Sequence, residues 1–432
     1  MFNTDKQQLS VEEVKRYIDV FKTSQLLKLE KMKRYYDAKN DTIMNRSFKD
    51  ISKPNNKVAT PYCSYISNVL TGYFNLGATT YTSQNEEFLT ELSNIYYAQD
   101  EHTKNNQLAL DASIYGVAYE LLYINENKQI AFDTLDPRTI ITIYDNTISQ
   151  NLLFAIRFWE TKDILSEKTH VYIEVYSRED VKYYCDDVCT DTQEHFFKKV
   201  PINIYRNTKG FTSDFEKLIK LVDAYDIAIS DTLNDRESLN DSYLCFYNTN
   251  LEDEAILKMK ENKVIQAESP SDQQQAKIEW LTKDTVSAEA EALKSRLQAD
   301  IEKFSYISEL EVKSHTSATG NTLQLISLES LVQQKEYYAK KALINRIDMI
   351  CNHLNLLGSD YNTKDINISM TRNMPLSLDI QADIASKLSP YISKETLLSQ
   401  LPFVTDVKLE LERIKAESEV NAYANMIQAE GE

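Results

Sequence analysis

Glycine is scarce in this chain, with seven among 432 residues. Loops that cradle nucleotide phosphates need glycines and a lysine in a fixed pattern. The nearest approach runs from Gly72 to Gly77, but Ala78 and Thr79 stand where such a loop needs lysine and serine or threonine. No group is available there to reach the terminal phosphates, so an ATP-driven motor is disfavoured.

Combinations of side chains typical of enzymes are lacking as well. None of the five histidines has a companion at the spacing of a hydrolase triad or a metal site. They are His102, His170, His195, His315 and His353. We therefore expect no enzymatic activity and no cofactor.

Basic residues are outnumbered: 48 lysines and arginines against 66 aspartates and glutamates give a formal net charge of −18. Proteins that grip DNA by its phosphates carry a basic face, so strong general DNA binding is disfavoured. An acidic wall around DNA is a different case, because it repels phosphate and lets the duplex slide. The alternative interpretation is that the charge only provides solubility.

Long apolar runs and paired cysteines are also missing. No run reaches the ~18 residues that span a bilayer, and the start of the chain has no apolar secretory segment. Five scattered cysteines predict free thiols, so we expect a soluble protein of a reducing cytoplasm. Cys185, Cys189 and His195 fit no strong zinc pattern; a polar hairpin is favoured there, and we expect no metal site.

What is present is helical periodicity at both ends and strand alternation between them. Ser10 and Glu13 form a capping box before a helix, and further helices are predicted over residues 60–74, 86–98 and 101–114. The strands are predicted over residues 118–124, 129–135, 140–144, 153–159, 170–176 and 181–184. Many of the 27 tyrosines lie in this stretch, where half-buried packing is favoured over a ligand site.

Two long amphipathic helices flank a small β-rich insert. The helices are predicted over residues 213–241 and 286–307, and the insert covers residues 243–283. A polar loop containing Gly320 then leads to a third, longer helix over residues 322–357. A strand at 366–370 and helices at 380–388, 394–401 and 407–424 complete the pattern.

Several short motifs, in this order, resemble those of tailed-bacteriophage portal proteins of the siphovirus type. They are NKV at 56–58, LTGYF at 70–74, IYGVAYE at 114–120, LDPR at 135–138, VPI at 200–202, DFE at 214–216, DAYD at 223–226, NMP at 373–375 and ETLLSQLP at 395–402. The segment after Leu401 is short compared with that family.

The resemblance implies an α+β, mainly helical fold with the portal architecture. It implies an α/β wing, a two-helix stem, a small β-rich clip, a long kinked wing helix and a short helical C-terminal crown. The corresponding boundaries are 1–210 for the wing, 211–242 and 285–308 for the stem helices, 243–284 for the clip, 309–321 for a tunnel loop, 322–376 for the long wing helix and wing strand, and 377–432 for a reduced crown.

The resemblance also implies a function and partners. Such proteins form a ring, usually of twelve subunits, at one capsid vertex of the virion, assembled in the host cytoplasm. Double-stranded DNA passes through the ring in packaging and ejection. The implied partners are further copies of the chain, the terminase large subunit, a head-completion adaptor, and the major capsid and scaffolding proteins, without a membrane.

Three sets of residues follow for these roles. The tunnel loop would face DNA with Glu311, Lys313, Ser314, His315, Thr316, Ser317, Thr319 and Asn321. The clip would dock partners through Tyr247, Glu252, Lys258, Lys263, Ser269, Pro270, Asp272 and Trp280. The stem helices would meet neighbouring subunits through Phe215, Leu218, Val222, Tyr225, Ile229, Leu293, Leu297 and Ile301.

Two other interpretations of the sequence stay open. Glu311 and Lys313 have the E-x-K form of a metal-dependent nuclease, with Asp300 upstream, but Asp300 lies in a helical pattern where such a site needs a strand. An oligomeric helical scaffold or adaptor without DNA passage would also explain the long helices and the acidity.

Overall fold

The computed structural model describes most of the chain in two compact units, Met1–Arg372 and Asn373–Glu432. The described residues are 2–50, 53–164, 167–239, 243–247, 277–281, 288–307, 325–373, 385–399, 404, 407 and 410–416. Helices and strands are mixed within the first unit, so the α+β class expected from the sequence is confirmed.

The first unit begins with a layer of six helices. Ser10 caps the first helix, and its side chain and that of Glu13 exchange hydrogen bonds with each other's backbone N–H, as the capping box predicts. The helices are α1 (Val11–Thr23), α2 (Gln25–Tyr36), α3 (Asp41–Met44), α4 (Tyr62–Phe74), α5 (Glu86–Ala98) and α6 (Glu101–Tyr115).

Strands predominate after the helices, and with β1 from the start of the chain they form two sheets. The strands up to residue 206 are β1 (Phe2–Asn3), β2 (Thr79–Ser83), β3 (Val117–Ile124), β4 (Ile130–Leu135), β5 (Ile140–Tyr144), β6 (Leu152–Lys162), β7 (Thr169–Tyr176), β8 (Asp180–Cys185), β9 (Val188–Glu194) and β10 (Ile202–Arg206). Strand β2 belongs to neither of these two sheets. One sheet has the order β1-β5-β6-β7-β8-β9, and the other has the order β10-β3-β4. All pairs within them are antiparallel except the short parallel pair of β1 with β5.

The predicted hairpin between β3 and β4 is confirmed. The Asn125 side chain accepts hydrogen bonds from the backbone N–H groups of Asn127 and Gln129, and Lys128 adopts a φ of 60°. An asparagine that bonds its own turn is typical of such a loop.

Strand β2 was not predicted from the sequence, although the run TTYTS is rich in β-branched residues.

The rest of the first unit contains the long helices and their short strands. They are α7 (Ile219–Leu239), β11 (Tyr243–Tyr247), β12 (Lys277–Leu281), α8 (Ala288–Phe304), α9 (Ile326–Leu356) and β13 (Ile366–Met370). Strands β11 and β12 pair antiparallel, and β13 pairs antiparallel with β2. Helix α9 is one continuous helix of 31 residues that neither proline nor glycine interrupts.

The second unit is described in part. Residues 385–388 are helical, followed by α10 (Lys394–Ser399) and by helical residues 410–416. These stretches lie within the helices that the sequence predicts at 380–388, 394–401 and 407–424. Residue 407 is helical as well, and the other residues of those three predictions lie outside the described part of the chain.

The tyrosines of the sheets are mostly packing residues, as the sequence analysis expects. Tyr119, Tyr144, Tyr176, Tyr184 and Tyr205 are each less than 10% exposed. Burial raises the pKa of Tyr119, Tyr176, Tyr184 and Tyr205, because the phenolate would lose its hydration.

A buried arginine joins the helical layer, the three-stranded sheet and α9. The side chain of Arg346 in α9 is fully buried and bonds both carboxylate oxygens of Glu120 in β3, at 3.0 and 2.6 Å. It also lies 3.4 Å from the carboxylate of Glu101 and donates to Asn105 at 2.8 Å, both in α6. Burial would lower the pKa of Arg346, but Glu120 and its other neighbours hold that pKa well above the ordinary value.

The Arg346 contacts predict that two alanine substitutions in α9 will have very different effects on the free energy of unfolding. Arg346→Ala leaves two buried carboxylates without their cation and should lower the free energy of unfolding by about 3–5 kcal/mol. The matched change Lys341→Ala, at an exposed position of the same helix, should change it by less than about 0.5 kcal/mol. Chemical denaturation followed by circular dichroism measures both; equal losses would contradict the role given to Arg346.

Candidate functional site

The α7–α8 pair is the candidate functional site, because it carries the insert that the sequence singled out. Helices α7 and α8 pack against each other. Between them in sequence lie β11 and β12, which pair in register from Tyr243 opposite Leu281 to Tyr247 opposite Lys277. The predicted order of helix, β-rich insert and helix is thus present within the described residues.

The chain enters α7 later than the sequence predicts. The helix was expected from Ser213, but residues 213–218 form turns and α7 begins at Ile219. At this point the backbone N–H of Asp214 donates to the carbonyl of Ser113, and the Asp214 carboxylate accepts from Ser113 Oγ and from Asn207. These bonds fix Asp214 to the end of α6 and to the residue that follows β10.

A buried ion pair fixes this turn to the long helix α9. The ammonium of Lys335 lies against the carboxylate of Asp214, and the two side chains are 7% and 4% exposed. A buried pair of this kind is costly to break, because the partner left behind stays in a low-dielectric interior. The approach to α7 is therefore held to α9.

Farther along α7, one face of the helix binds an extended segment of the chain through side chains. The backbone N–H groups of Asn56, Val58 and Thr60 donate to side chains of α7 at 2.7, 3.0 and 3.0 Å. Their acceptors are Asn234 Oδ1, Ser230 Oγ and Asp226 Oδ1 in the same order. We call these six residues the α7 clasp.

The α7 clasp works because two different repeats have nearly the same length. Alternate N–H groups of an extended segment point to the same side and recur every ~6.6 Å. Every fourth residue of a helix lies on one face and recurs every ~6 Å. N–H groups that are two positions apart in the segment can therefore bond to side chains that are four positions apart in α7.

Asp226 is a fully buried member of the α7 clasp. The residue is 0% exposed, and besides the two contacts from Thr60 it accepts a hydrogen bond from Asn40. Burial raises the pKa of Asp226, and the bonds from Thr60 and Asn40 only partly oppose that shift. Other acids of α7 are also engaged within the chain: Asp223 by Tyr35 and Thr42, and Asp231 by Arg46.

The expected subunit-interface residues separate into two groups. Phe215, Leu218, Val222 and Ile301 are at most 5% exposed and belong to the chain's own hydrophobic core. For these four residues the expected role at a subunit interface was wrong. The spacing of apolar residues along a helix shows that one face of the helix is covered, but not whether its own chain or a neighbouring subunit covers it. Tyr225, Ile229 and Leu297 are half-buried, and Leu293 is 54% exposed, so these four remain available to a neighbour.

Most of the other predicted site residues lie outside the described part of the chain. Of the clip set, only Tyr247 and Trp280 are described, in β11 and β12, and Tyr247 is exposed. Those outside are Glu252, Lys258, Lys263, Ser269, Pro270 and Asp272, together with the whole tunnel-loop set Glu311, Lys313, Ser314, His315, Thr316, Ser317, Thr319 and Asn321.

The glycines at 72 and 77 form no phosphate loop. Gly72 lies within α4 and β2 follows Gly77, whereas a phosphate loop runs from a strand into a helix. Gly77 is needed for close packing, since a Cβ there would lie 2.4 Å from the Asn106 side chain. Its N–H donates to Asn106 Oδ1 at 2.9 Å.

The structure also places residues from the two other sites considered from the sequence, the cysteine–histidine metal site and the nuclease site. His195 bonds the carbonyl of Ser177, at the opposite end of β8 from Cys185. Asp300 lies in α8 and pairs with Arg296 at 2.9 Å. It is therefore on a helix, which was the argument from the sequence against a nuclease site.

Among the described residues, no helix has the length and apolar character needed to cross a membrane.

Comparison with known proteins settles the family. A profile of the family described as "Phage portal protein, SPP1 Gp6-like" matches residues 16–422. The chain belongs to this portal family. The match extends over nearly the whole chain and includes α7, α8 and the segment between them.

Two individual portal proteins are similar over most of their length. The portal protein of Clostridium phage phiCD119 is 24% identical, over 91% of this chain and 94% of that protein. The portal protein of Bacillus phage SPP1 is 24% identical, over 92% of this chain and 82% of that protein. Portal proteins are structural and not enzymatic, which agrees with the sequence analysis.

The α7 clasp predicts which acids of α7 matter for stability. Asp226→Ala leaves the N–H of Thr60 unpaired in the interior and should lower the free energy of unfolding by about 1–3 kcal/mol. Asp231→Ala, a matched change at an acid whose side chain is 52% exposed, should cost less than about 1 kcal/mol. Urea unfolding of both variants provides the comparison, and an equal loss would argue against the α7 clasp.

The same residue predicts a pH dependence. Because burial raises the pKa of Asp226, the folded chain holds that proton to higher pH than the unfolded chain does. The free energy of unfolding, compared with that of Asp226→Asn, should therefore increase as the pH falls from neutrality towards the ordinary aspartate range. A difference that stays flat, or that shrinks on acidification, would show that Asp226 is not buried in this way.

Proposed function

We propose that this chain is the subunit of a portal ring at one vertex of a phage capsid. Double-stranded DNA would pass through the ring during packaging and ejection. The observation that carries the proposal is the α7–α8 pair, which is joined by a small strand pair and tied to α9 by the buried Asp214–Lys335 contact. The family match over residues 16–422 supports the same function.

Within this proposal the parts of the chain have separate tasks. Helices α7 and α8 form the stem, β11 and β12 form the base of the clip, and residues 1–210 with α9 and β13 form the wing. Residues 377–432 would be a reduced crown. The ring would hold about twelve copies, be a component of the virion, and meet the major capsid and scaffolding proteins, without a membrane.

The charge of the chain as a whole suits a surface past which DNA moves. The net charge is −18, although three of the five acidic residues of α7, Asp223, Asp226 and Asp231, are engaged by other side chains of the same chain. A basic surface would bind phosphate tightly and in a salt-dependent way. An acidic one would instead keep the duplex from adhering to the wall.

Apolar side chains left exposed on the stem support a contact between copies. Leu233 on α7 is 39% exposed, and Leu293 and Phe304 on α8 are 54% and 56% exposed. Identical subunits that meet through two different faces close into a ring when the rotation between them is right. We place the stem contact at Leu293, Leu297, Tyr225 and Ile229.

The experiment that tests the proposed function is imaging of the purified chain by negative-stain electron microscopy. Closed rings with a central hole are expected. Leu293→Glu should reduce the yield of rings, because it places a charge in the contact, whereas Ser295→Glu at a neighbouring exposed position should not. Folding of both variants is checked by circular dichroism. Monomers or open polymers in the wild type would instead favour a scaffold or adaptor without DNA passage.

The clip is proposed to dock the terminase large subunit and later the head-completion adaptor. Tyr247 and Lys277 are paired opposite each other in β11 and β12, so a two-residue Asn-Gly turn can join them in place of residues 248–276. The shortened chain should still form rings but should lose terminase binding in a pull-down assay.

A matched control keeps that result interpretable. Tyr247→Ala in the full-length chain removes one exposed side chain of β11 and should weaken terminase binding without affecting rings. If the shortened chain fails to assemble although it is folded, the clip is part of the ring itself and the docking proposal fails.

The tunnel loop at 309–321 is proposed to face the DNA. Its side chains are mostly neutral, with Lys313 as its cation and Glu309 and Glu311 opposing it, which suits a sliding contact. Lys313→Glu and Glu311→Lys should change the amount of packaged DNA while ring yield stays constant. Unchanged packaging by intact rings would reduce the loop to a connector.

A further inference from the structure

One cluster of metal-binding side chains lies far along the sequence from the stem, on the six-stranded sheet. His170 is near the start of β7, Cys185 ends β8, and Asp186 begins the turn from β8 to β9. One donor atom from each lies within 4.8 Å of the others. Among the described residues this is the single group of three such donors that is close enough to share an ion.

Strand register explains why these three residues meet. Tyr172 lies opposite Cys185 in the β7–β8 pair, so His170, two residues before Tyr172, is on the same face of the sheet as Cys185. Asp186 follows at once and turns back over β7. In the sequence these positions are about fifteen residues apart, and only the pairing of β7 with β8 brings them together.

The Asp186 side chain is already oriented by hydrogen bonds. One of its oxygens accepts the backbone N–H of Val171 at 2.9 Å, and the other lies 2.6 Å from His170 Nδ1. The turn that carries it is formed by Asp186 and Asp187, which have φ angles of 47° and 72°.

Asp187, the second residue of the turn, helps to hold the turn in place and is not one of the three ligand residues. Its carboxylate pairs with Lys15 of α1 at 2.7 Å. The turn is thus tied to α1 on one side and to β7 on the other. A loop fixed at both sides loses less entropy when it binds an ion than a free loop would.

We propose that His170, Cys185 and Asp186 bind a divalent transition-metal ion of the zinc class. Imidazole, thiolate and carboxylate are the three side-chain ligands that zinc takes in proteins, and a water molecule would complete the tetrahedron. A thiolate and an imidazole disfavour magnesium and calcium, which prefer oxygen ligands. Binding releases the proton of the Cys185 thiol to solvent, and no residue is oxidised or reduced.

Cys189 does not belong to this site. It lies opposite Tyr184 in the β8–β9 pair, and Tyr184 points to the other face of the sheet from its neighbour Cys185. Cys189 is also exposed, like the turn itself. It is therefore a matched control: a second thiol on the same hairpin that can react with a metal only nonspecifically.

The proposed role of the ion is to clamp the turn between β8 and β9. Strand β9 is the last strand of its sheet, and its side chains are all exposed, so little packing holds it in place. A bond from Cys185 and Asp186 to His170 through one ion would link the turn directly to β7. The expected effect is a gain in stability on metal binding, since the ion binds the folded chain preferentially.

The test uses Co²⁺ as a spectroscopic probe on the full, reduced chain. Wild type should bind one Co²⁺ per chain and show a thiolate-to-cobalt charge-transfer band, which added Zn²⁺ removes by displacement. Cys185→Ser should abolish the band, and His170→Gln should weaken Co²⁺ binding by about a hundredfold or more, since loss of an outer partner alone costs about 10–100-fold. Cys189→Ser should leave both properties unchanged.

Thermal unfolding with and without Zn²⁺ gives a second readout. The transition temperature of wild type and of Cys189→Ser should rise with Zn²⁺, and that of Cys185→Ser should not. If Cys185→Ser keeps the charge-transfer band, if Cys189→Ser loses it, or if wild type binds no stoichiometric Co²⁺, the site does not exist. The His170–Asp186 contact would then be only a brace for the turn.

Discussion

The burial of Arg346 is the constraint on which the rest of the first unit depends. Its guanidinium is fully enclosed and needs carboxylates and an amide oxygen at fixed positions, which α6 and β3 supply together. Asn203 of the neighbouring strand β10 in turn donates a hydrogen bond to Glu120. A long helix that met the sheet through apolar contacts alone could slide or rotate at small cost. Because an unpaired buried charge costs several kcal/mol, α9 has one favourable position on the sheet.

That position of α9 also constrains α7. Lys335 lies three turns before Arg346 on the same helix and binds Asp214, which leads into α7. The α7 clasp then holds the helix along its length through Asp226, Ser230 and Asn234. In the proposed ring, these contacts would set the angle between α7 and α9 in each subunit.

Four of the nine motifs that resemble the portal family coincide with these buried polar contacts. The run IYGVAYE contains Glu120, and its Gly116 adopts a φ of 84° where a Cβ would meet the carbonyl oxygen of Phe211 at 2.3 Å. DFE contains Asp214, DAYD contains Asp226, and NKV supplies two of the three backbone donors of the α7 clasp. Each of these four motifs supplies only one or two groups to a contact made with a distant part of the chain.

The sequence by itself determined the local elements, because helix and strand periods, caps and turn residues act over a few positions. It predicted α5, β5 and β13 to the residue, the capping box of α1 and the β3–β4 hairpin. Only the tertiary structure decided what covers each apolar face and what pairs with each charge. Phe215 and Val222 pack in the chain's own core, and α7 begins at Ile219. Cys185 lies beside His170 and Asp186, whereas the sequence suggested Cys189 and His195 as its companions. Those outcomes depend on groups a hundred or more residues apart or on strand register, and a periodic pattern records neither.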